Sequence, residues 1–117
     1  MFHVSEQTWQ AIDLIEERKF QARLAQFLVA NAPGLEDIPS LDHLKQVGYV
    51  IDVARSFGFS SERDIATFAL SAALLGPDFH ETFGGAREIL GMKEPPEYRA
   101  RMLEYFTREM FAVLARG

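Results

Sequence analysis

The chain has 117 residues, 48% of them apolar and 25% charged, which is typical of one soluble globular domain with a single core. It contains no cysteine, which excludes a disulfide framework, a thiolate metal site and a cysteine nucleophile. The formal net charge of −5 argues against a broad electrostatic footprint on nucleic acid or on an anionic membrane.

A first helix is predicted from about Ser5 to Asn31, where apolar side chains recur at helical spacing. The residues that define its inner face are Trp9, Phe20, Leu24 and Phe27. Leu14 and Ile15 fall off this face, so we expect them to pack on a second surface or to be exposed for a partner. Ala32-Pro33-Gly34 ends the helix, because proline breaks it and glycine adopts positive φ freely.

Ser40 is the predicted N-cap of a second helix, which ends near Gly58. Its inner face carries the stripe Leu44, Val47, Ile51 and Ala54. Gly48 lies inside this helix, where glycine is unfavourable, and therefore predicts the close approach of another backbone.

A third helix is predicted to begin at Ser60 or Ser61. Its body from Ile65 to Leu75 is apolar nearly all round, so we expect it to be the central buried helix. Gly76-Pro77-Asp78 stops it and starts a loop or short turn.

Ala86 to Leu90 is predicted as a short helical piece, and Pro95-Pro96 begins a final helix that runs to about Ala115. The apolar face predicted for that helix carries Met102, Phe106, Met110, Val113 and Leu114, and the polar remainder carries Arg99, Arg101, Glu104, Arg108 and Glu109. No segment alternates as a strand does. The sequence therefore predicts an all-α fold, with residues 1–117 as one compact domain of four main helices plus a short fifth helical segment.

No group of residues has the spacing of a catalytic or metal site. The histidines His3, His43 and His80 are too far apart in sequence to form the i, i+4 pair that holds one metal. The segment Asp78 to Glu81 resembles an acid/base pair with His80 at its centre, but it also fits a capped turn, which we favour. We predict no catalytic residue, no cofactor and no metal, and hence a protein that is not an enzyme.

Nucleic acid and membrane partners are also not expected. Ile51 to Leu75 imitates a helix-turn-helix reader of DNA, but its second helix carries Arg63 as its one basic residue, and Glu62 and Asp64 would face phosphates. No apolar stretch approaches the roughly 20 residues that span a bilayer. The first residues lack a basic region followed by an apolar run, so we expect no signal peptide and a cytoplasmic protein.

Aromatic residues are prominent, with ten Phe, three Tyr and one Trp. Those on predicted inner faces are Phe20, Phe27, Phe57, Phe68 and Phe106. Other large apolar residues lie toward helix ends, in loops or off the main stripes, where the anchors of a protein interface are expected. These interface candidates are Trp9, Leu14, Ile15, Phe79, Phe83 and Phe111.

The stretch from Val47 to Leu90 resembles a family. Its matching pieces are Val50-Ile51-x-x-Ala54, Phe57 through Ile65, Leu74 through Phe79, and Ala86-Arg87-Glu88-Ile89-Leu90. They resemble small helical accessory proteins encoded beside effectors and adaptor chaperones in bacterial type VI secretion operons. Such proteins often have Pro-Trp before the last piece, where this chain has Gly84-Gly85.

The resemblance implies a cytoplasmic accessory protein or co-chaperone that binds an effector or its adaptor. The sequence features described above predict the same functional class, a non-enzymatic protein-binding module. The favoured contact regions are the first helix and the Phe79 to Phe83 segment. Two alternatives stay open: an immunity protein that neutralises a toxic effector, and a homo-oligomeric structural protein such as a homodimer.

Overall fold

A computed structural model describes the backbone of residues 6–32 and 40–116 and the side chains of residues 19–32 and 42–116. Within these residues it has six α-helices and no strand, which confirms the all-α prediction. In chain order the helices are α1 (Glu6–Asn31), α2 (Ser40–Ser56), α3 (Glu62–Leu75), α4 (Phe79–Thr82), α5 (Gly84–Leu90) and α6 (Pro96–Arg116). The predicted helix count missed α4, because a four-residue helix is too short to show a periodic pattern.

The first two helices pack antiparallel through their apolar faces. Nε2 of Gln21 donates to the carbonyl of Leu44 at 2.8 Å, and Nε2 of His43 lies 3.0 Å from the carbonyl oxygen of Ala25. The buried apolar residues of the pair are Phe20, Leu24, Ala25, Leu28, Ala32, Val47, Ile51 and Ala54. The prediction that Phe27 lies on the inner face of α1 is wrong. Its side chain is 44% exposed, because the buried face of α1 lies to one side of this residue.

Gly48 does lie at a close contact, but with a side chain rather than a backbone. A Cβ atom at this position would lie 3.0 Å from Nε2 of Gln21. The prediction of a close backbone approach is therefore wrong. The Gln21 amide occupies the space because it reaches past the glycine to bond the carbonyl of Leu44.

Helix α3 is the central element, as predicted, since it packs against α1, α2, α4 and α6. Ser61 is its N-cap, and the Ser61 hydroxyl accepts a hydrogen bond from the backbone N–H of Asp64 at 3.1 Å. Gly76 ends the helix with a φ of +110°, a conformation that side-chain-bearing residues rarely adopt.

An aromatic cluster surrounds Phe68 on α3. Its ring centroid lies 5.8 Å from that of Phe57, 6.1 Å from that of Phe59 and 5.1 Å from that of Phe79. The four rings join the turn between α2 and α3, which carries Phe57 and Phe59, to α3 and α4. Separations of 4.5 to 7 Å are those of favourable aromatic pairs.

Helix α6 packs on α3 with a different face from the predicted one. Its buried residues are Arg99, Ala100, Leu103 and Thr107, whereas Val113 and Leu114 are more than half exposed. The hydroxyl oxygens of Ser71 and Thr107 lie 2.6 Å apart in the buried contact. Small and hydroxyl-bearing side chains let the two helices approach closely. Such residues do not contribute to the apolar pattern from which the face was predicted. The predicted stripe therefore lies at the edge of the true interface.

Arg99 was expected on the polar side of α6 but is only 7% exposed. Its Nε donates to the carbonyl of Glu94 at 3.1 Å, and Nη1 donates to the carbonyl of Leu90 at 3.2 Å. Its guanidinium carbon lies 5.0 Å from the ring centroid of Phe59. The residue thereby satisfies a carbonyl at the end of α5 and covers an aromatic ring of the core.

We predict that Gly85→Ala lowers the free energy of unfolding by about 1–3 kcal/mol, because a Cβ there would lie 2.5 Å from Cε2 of Phe106. Gly84→Ala is the matched control: a Cβ at Gly84 meets nothing within 4 Å, and its effect should be neutral or slightly stabilising. Urea unfolding measures both. Equal effects of the two substitutions would contradict the close packing of α5 on α6.

We predict that Arg99→Lys lowers the free energy of unfolding by about 2 kcal/mol, because one ammonium group cannot keep the bonds to both carbonyls and the contact with Phe59. Arg101→Lys, at an exposed position on the same helix, should stay within about 0.5 kcal/mol of the parent protein. Thermal and urea unfolding provide the comparison. If Arg101→Lys lowers the free energy of unfolding as much as Arg99→Lys does, the contacts of Arg99 do not have this stabilising role.

Candidate interaction surfaces

The sequence-based interface candidates whose side chains are described, Phe79, Phe83 and Phe111, are all buried or half-buried. Phe79 is fully buried beside Phe68, so its prediction as a residue left over from the core is wrong. The turn at Gly76 to Asp78 reverses the chain and directs Phe79 back onto α3, which sequence spacing did not reveal. Phe83 is half-buried, with its ring centroid 6.2 Å from that of Phe106.

The other candidates are less informative. Phe111 is half-buried near the end of α6. Trp9, Leu14 and Ile15 belong to α1, but their side chains lie outside the described residues. Their role in an interface stays a prediction.

His80 is a packing residue with no oriented partner for acid/base chemistry. Its ring centroid lies 5.6 Å from that of Phe57, 6.1 Å from that of Phe68 and 5.8 Å from that of Phe79. Its Nε2 is 3.9 Å from Oε1 of Glu81, beyond hydrogen-bonding distance, and the Glu81 side chain is 77% exposed. Nδ1 is buried without a hydrogen-bond partner. The His80 ring therefore packs as a member of the aromatic cluster.

A groove of about 560 Å³ lies between α2 and α3. Its apolar wall is formed by Leu28, Val47, Val50, Ala69, Ala72 and Ala73. The three alanines of α3 create the space, since larger side chains at these positions would fill it. Lys45 and Tyr49 lie at its rim, and His43 contributes to its lining.

The outward face of α6 carries an aromatic and cationic stripe, which we call the α6 outer face: Tyr98, Arg101, Tyr105 and Arg108. The two tyrosines are seven residues apart, as are the two arginines, and at 3.6 residues per turn all four lie roughly opposite the face that packs on α3. Tyr98 is 44% exposed and Tyr105 is 60% exposed. The Arg108 side chain is 72% exposed and lies 3.4 Å from Oε1 of Glu104.

Sequence reasoning placed the arginines of this face on the polar side of the helix but overlooked the tyrosines. The seven-residue repeat of both residue types was visible in the sequence. It became informative only when the structure showed which side of α6 is buried.

The end of α6 extends past the helix that supports it. Ser71 of α3 pairs with Thr107 of α6, and α3 ends at Leu75, whereas α6 continues to Arg116. Val113 and Leu114 are therefore beyond the end of α3 and are 57% and 54% exposed. Their predicted inward position is wrong because no part of α3 lies beside them.

Comparison with known proteins gives no match: no protein-family model, no curated protein and no solved structure resembles this chain significantly. Among the described residues no helix has the length and apolar character needed to cross a membrane. The described side chains also contain no group of three His, Asp or Glu residues placed to hold a metal ion.

We predict that His80→Phe keeps or slightly raises the free energy of unfolding, because phenylalanine maintains the ring contacts and removes a buried nitrogen that has no partner. His80→Ala should lower it by about 2–3 kcal/mol, because the cluster loses a ring. Urea unfolding at pH 8 compares the three proteins. A phenylalanine variant as unstable as the alanine variant would show that the imidazole makes a polar contact that matters.

Proposed function

We propose that this chain is a non-catalytic protein-binding module and that the α6 outer face contacts its partner. The observation that supports the proposal is the pair of exposed tyrosines, Tyr98 and Tyr105, beside Arg101 and Arg108. Tyrosine and arginine are enriched among the residues that dominate interface energies, because both offer large contact areas together with directed hydrogen bonds.

The framework beneath this face is rigid enough to present it. The opposite side of α6 is held on α3 by buried residues, including Leu103 and the Thr107 hydroxyl that contacts Ser71. Side chains on a supported helix lose less conformational freedom on binding than those on a loop, so more of the contact energy appears as affinity.

We further propose that the partner is an effector of a type VI secretion system or the adaptor chaperone of such an effector, and that binding takes place in the cytoplasm. The support for this choice is the resemblance of Val47 to Leu90 to accessory proteins of those operons. The proteins encoded next to this chain are therefore the first to test.

The test is co-expression of the tagged chain with each protein encoded by the two flanking genes, followed by calorimetry on any complex that copurifies. Tyr105→Ala should weaken binding by at least tenfold, and Arg101→Ala should weaken it by a smaller factor. Tyr49→Ala is the matched control, because Tyr49 is 58% exposed on α2 and Tyr105 is 60% exposed on α6. The Tyr49→Ala variant should bind the partner with an affinity within threefold of that of the parent chain.

Two results would contradict the proposal. If none of the flanking-gene products binds, the proposed partner class is wrong. If Tyr49→Ala and Tyr105→Ala weaken a complex equally, binding does not depend on the α6 outer face.

A homo-oligomer is the second candidate, favoured by the exposed apolar pair Val113 and Leu114. Sedimentation equilibrium distinguishes it, since a self-associating chain changes mass with concentration and Leu114→Glu should restore the monomer. An immunity role differs in its biological readout, because cells that express the toxic effector would survive only in the presence of this chain.

A further inference from the structure

The α6 outer face presents hydrogen-bond donors that are mostly unused within the described part of the chain. The exposed side chain of Arg101 makes no ion pair or hydrogen bond with a described residue. The hydroxyl groups of Tyr98 and Tyr105 are likewise without a described partner. Nη2 of Arg108 donates to Oε1 of Glu104 at 3.4 Å, in an exposed i, i+4 pair of a kind that contributes little to stability. The face therefore has donors available for acceptors on another molecule.

Each arginine of this face lies beside a tyrosine. Residues three or four positions apart on a helix have Cβ atoms about 5–6 Å from each other, so Arg101 neighbours Tyr98 and Tyr105, and Arg108 neighbours Tyr105. A guanidinium group and a phenol hydroxyl at this separation can donate to the same acceptor. The two arginines are seven residues apart, which is about 10 Å along the helix axis. The face thus has two groups of donors, separated by two helical turns.

The charges around these donors decide which acceptor fits. A guanidinium group donates two parallel N–H bonds to a carboxylate, and such bidentate pairs are among the strongest hydrogen bonds between side chains. Three glutamates of the same helix flank the arginines: Glu97, Glu104 and Glu109. Their charge disfavours a densely charged polyanion such as nucleic acid. One carboxylate in direct contact with each guanidinium gains more from that contact than it loses to a more distant glutamate.

We propose that the partner contacts the α6 outer face through an acidic segment, in which two carboxylate side chains about 10 Å apart accept hydrogen bonds from Arg101 and Arg108. The hydroxyl groups of Tyr98 and Tyr105 donate to the same carboxylates. This inference rests on the proposed function, because it specifies the chemistry of the partner surface that this face contacts. On an α-helix, two carboxylates with this separation are seven residues apart.

The first experiment is an NMR titration of the full chain with helical peptides at low ionic strength. The probe is a short alanine- and glutamine-rich peptide with two glutamates seven residues apart, and the matched control peptide has glutamine at both positions. We expect the glutamate peptide to shift the amide resonances of Arg101, Tyr105 and Arg108 and to bind at least fivefold more tightly than the control. Equal affinities of the two peptides would overturn the inference.

Charge reversal separates a direct contact from a general effect of net charge. The double variant Arg101→Glu, Arg108→Glu should bind the glutamate peptide at least tenfold more weakly, and a peptide with lysine at both positions should bind this variant more tightly than the parent chain. The control is Lys45→Glu, Arg63→Glu, which makes the same charge change at exposed positions on α2 and α3. It should bind the glutamate peptide within threefold of the parent chain. An equal loss in this control, or no gain with the lysine peptide, would contradict the inference.

The complex from the flanking-gene experiment distinguishes this inference from the proposed function. We expect the double variant Arg101→Glu, Arg108→Glu to bind that partner at least tenfold more weakly than the parent chain does. If it binds as tightly as the parent chain while Tyr105→Ala weakens binding, the face is correct and the acidic segment is wrong. If neither Tyr105→Ala nor the double variant changes the affinity, the proposed function fails together with this inference.

Discussion

The phenyl ring of Phe68 makes the contact on which the arrangement of the helices depends. It is 1% exposed and lies within ring-contact distance of Phe57, Phe59, Phe79 and His80. Those residues come from two parts of the chain: Phe57 and Phe59 lie in the turn between α2 and α3, and Phe79 and His80 lie in α4. One side chain of the central helix therefore fixes the positions of segments that would otherwise be joined only through turns.

Small side chains decide how closely the other helices approach α3. On the α6 side, Ala100, Ser71 and Thr107 allow a tight contact that includes a buried pair of hydroxyl groups. On the α2 side, the alanines of α3 face Val47 and Val50, and a groove is left between the helices. The same central helix is thus closely packed on one side and incompletely packed on the other.

The packing on these two sides leaves two different kinds of surface. Burying one face of α6 fixes the opposite face outward, and the tyrosines and arginines there become a continuous stripe supported by a rigid core. The groove on the α2 side is short and apolar, and its buried histidine lacks one hydrogen bond. The α6 outer face and the groove between α2 and α3 therefore have no described residue in common.

The sequence by itself determined the helical elements and most of their ends. Local chemistry sets these features: the Ser61 cap, the positive φ of Gly58 and Gly76, and the prolines before α6 act within one or two turns. The apolar periodicity of α2 and the all-apolar body of α3 also predicted their buried faces correctly. Only the tertiary structure decided which side of α6 is buried, that Phe79 belongs to the core and that Arg99 caps α5. Those outcomes depend on the shapes of helices distant in sequence, where an alanine or a hydroxyl group allows closer contact than a larger apolar side chain. The functional candidates differ from the predicted ones for the same reason, because a surface is defined by what the packing leaves uncovered.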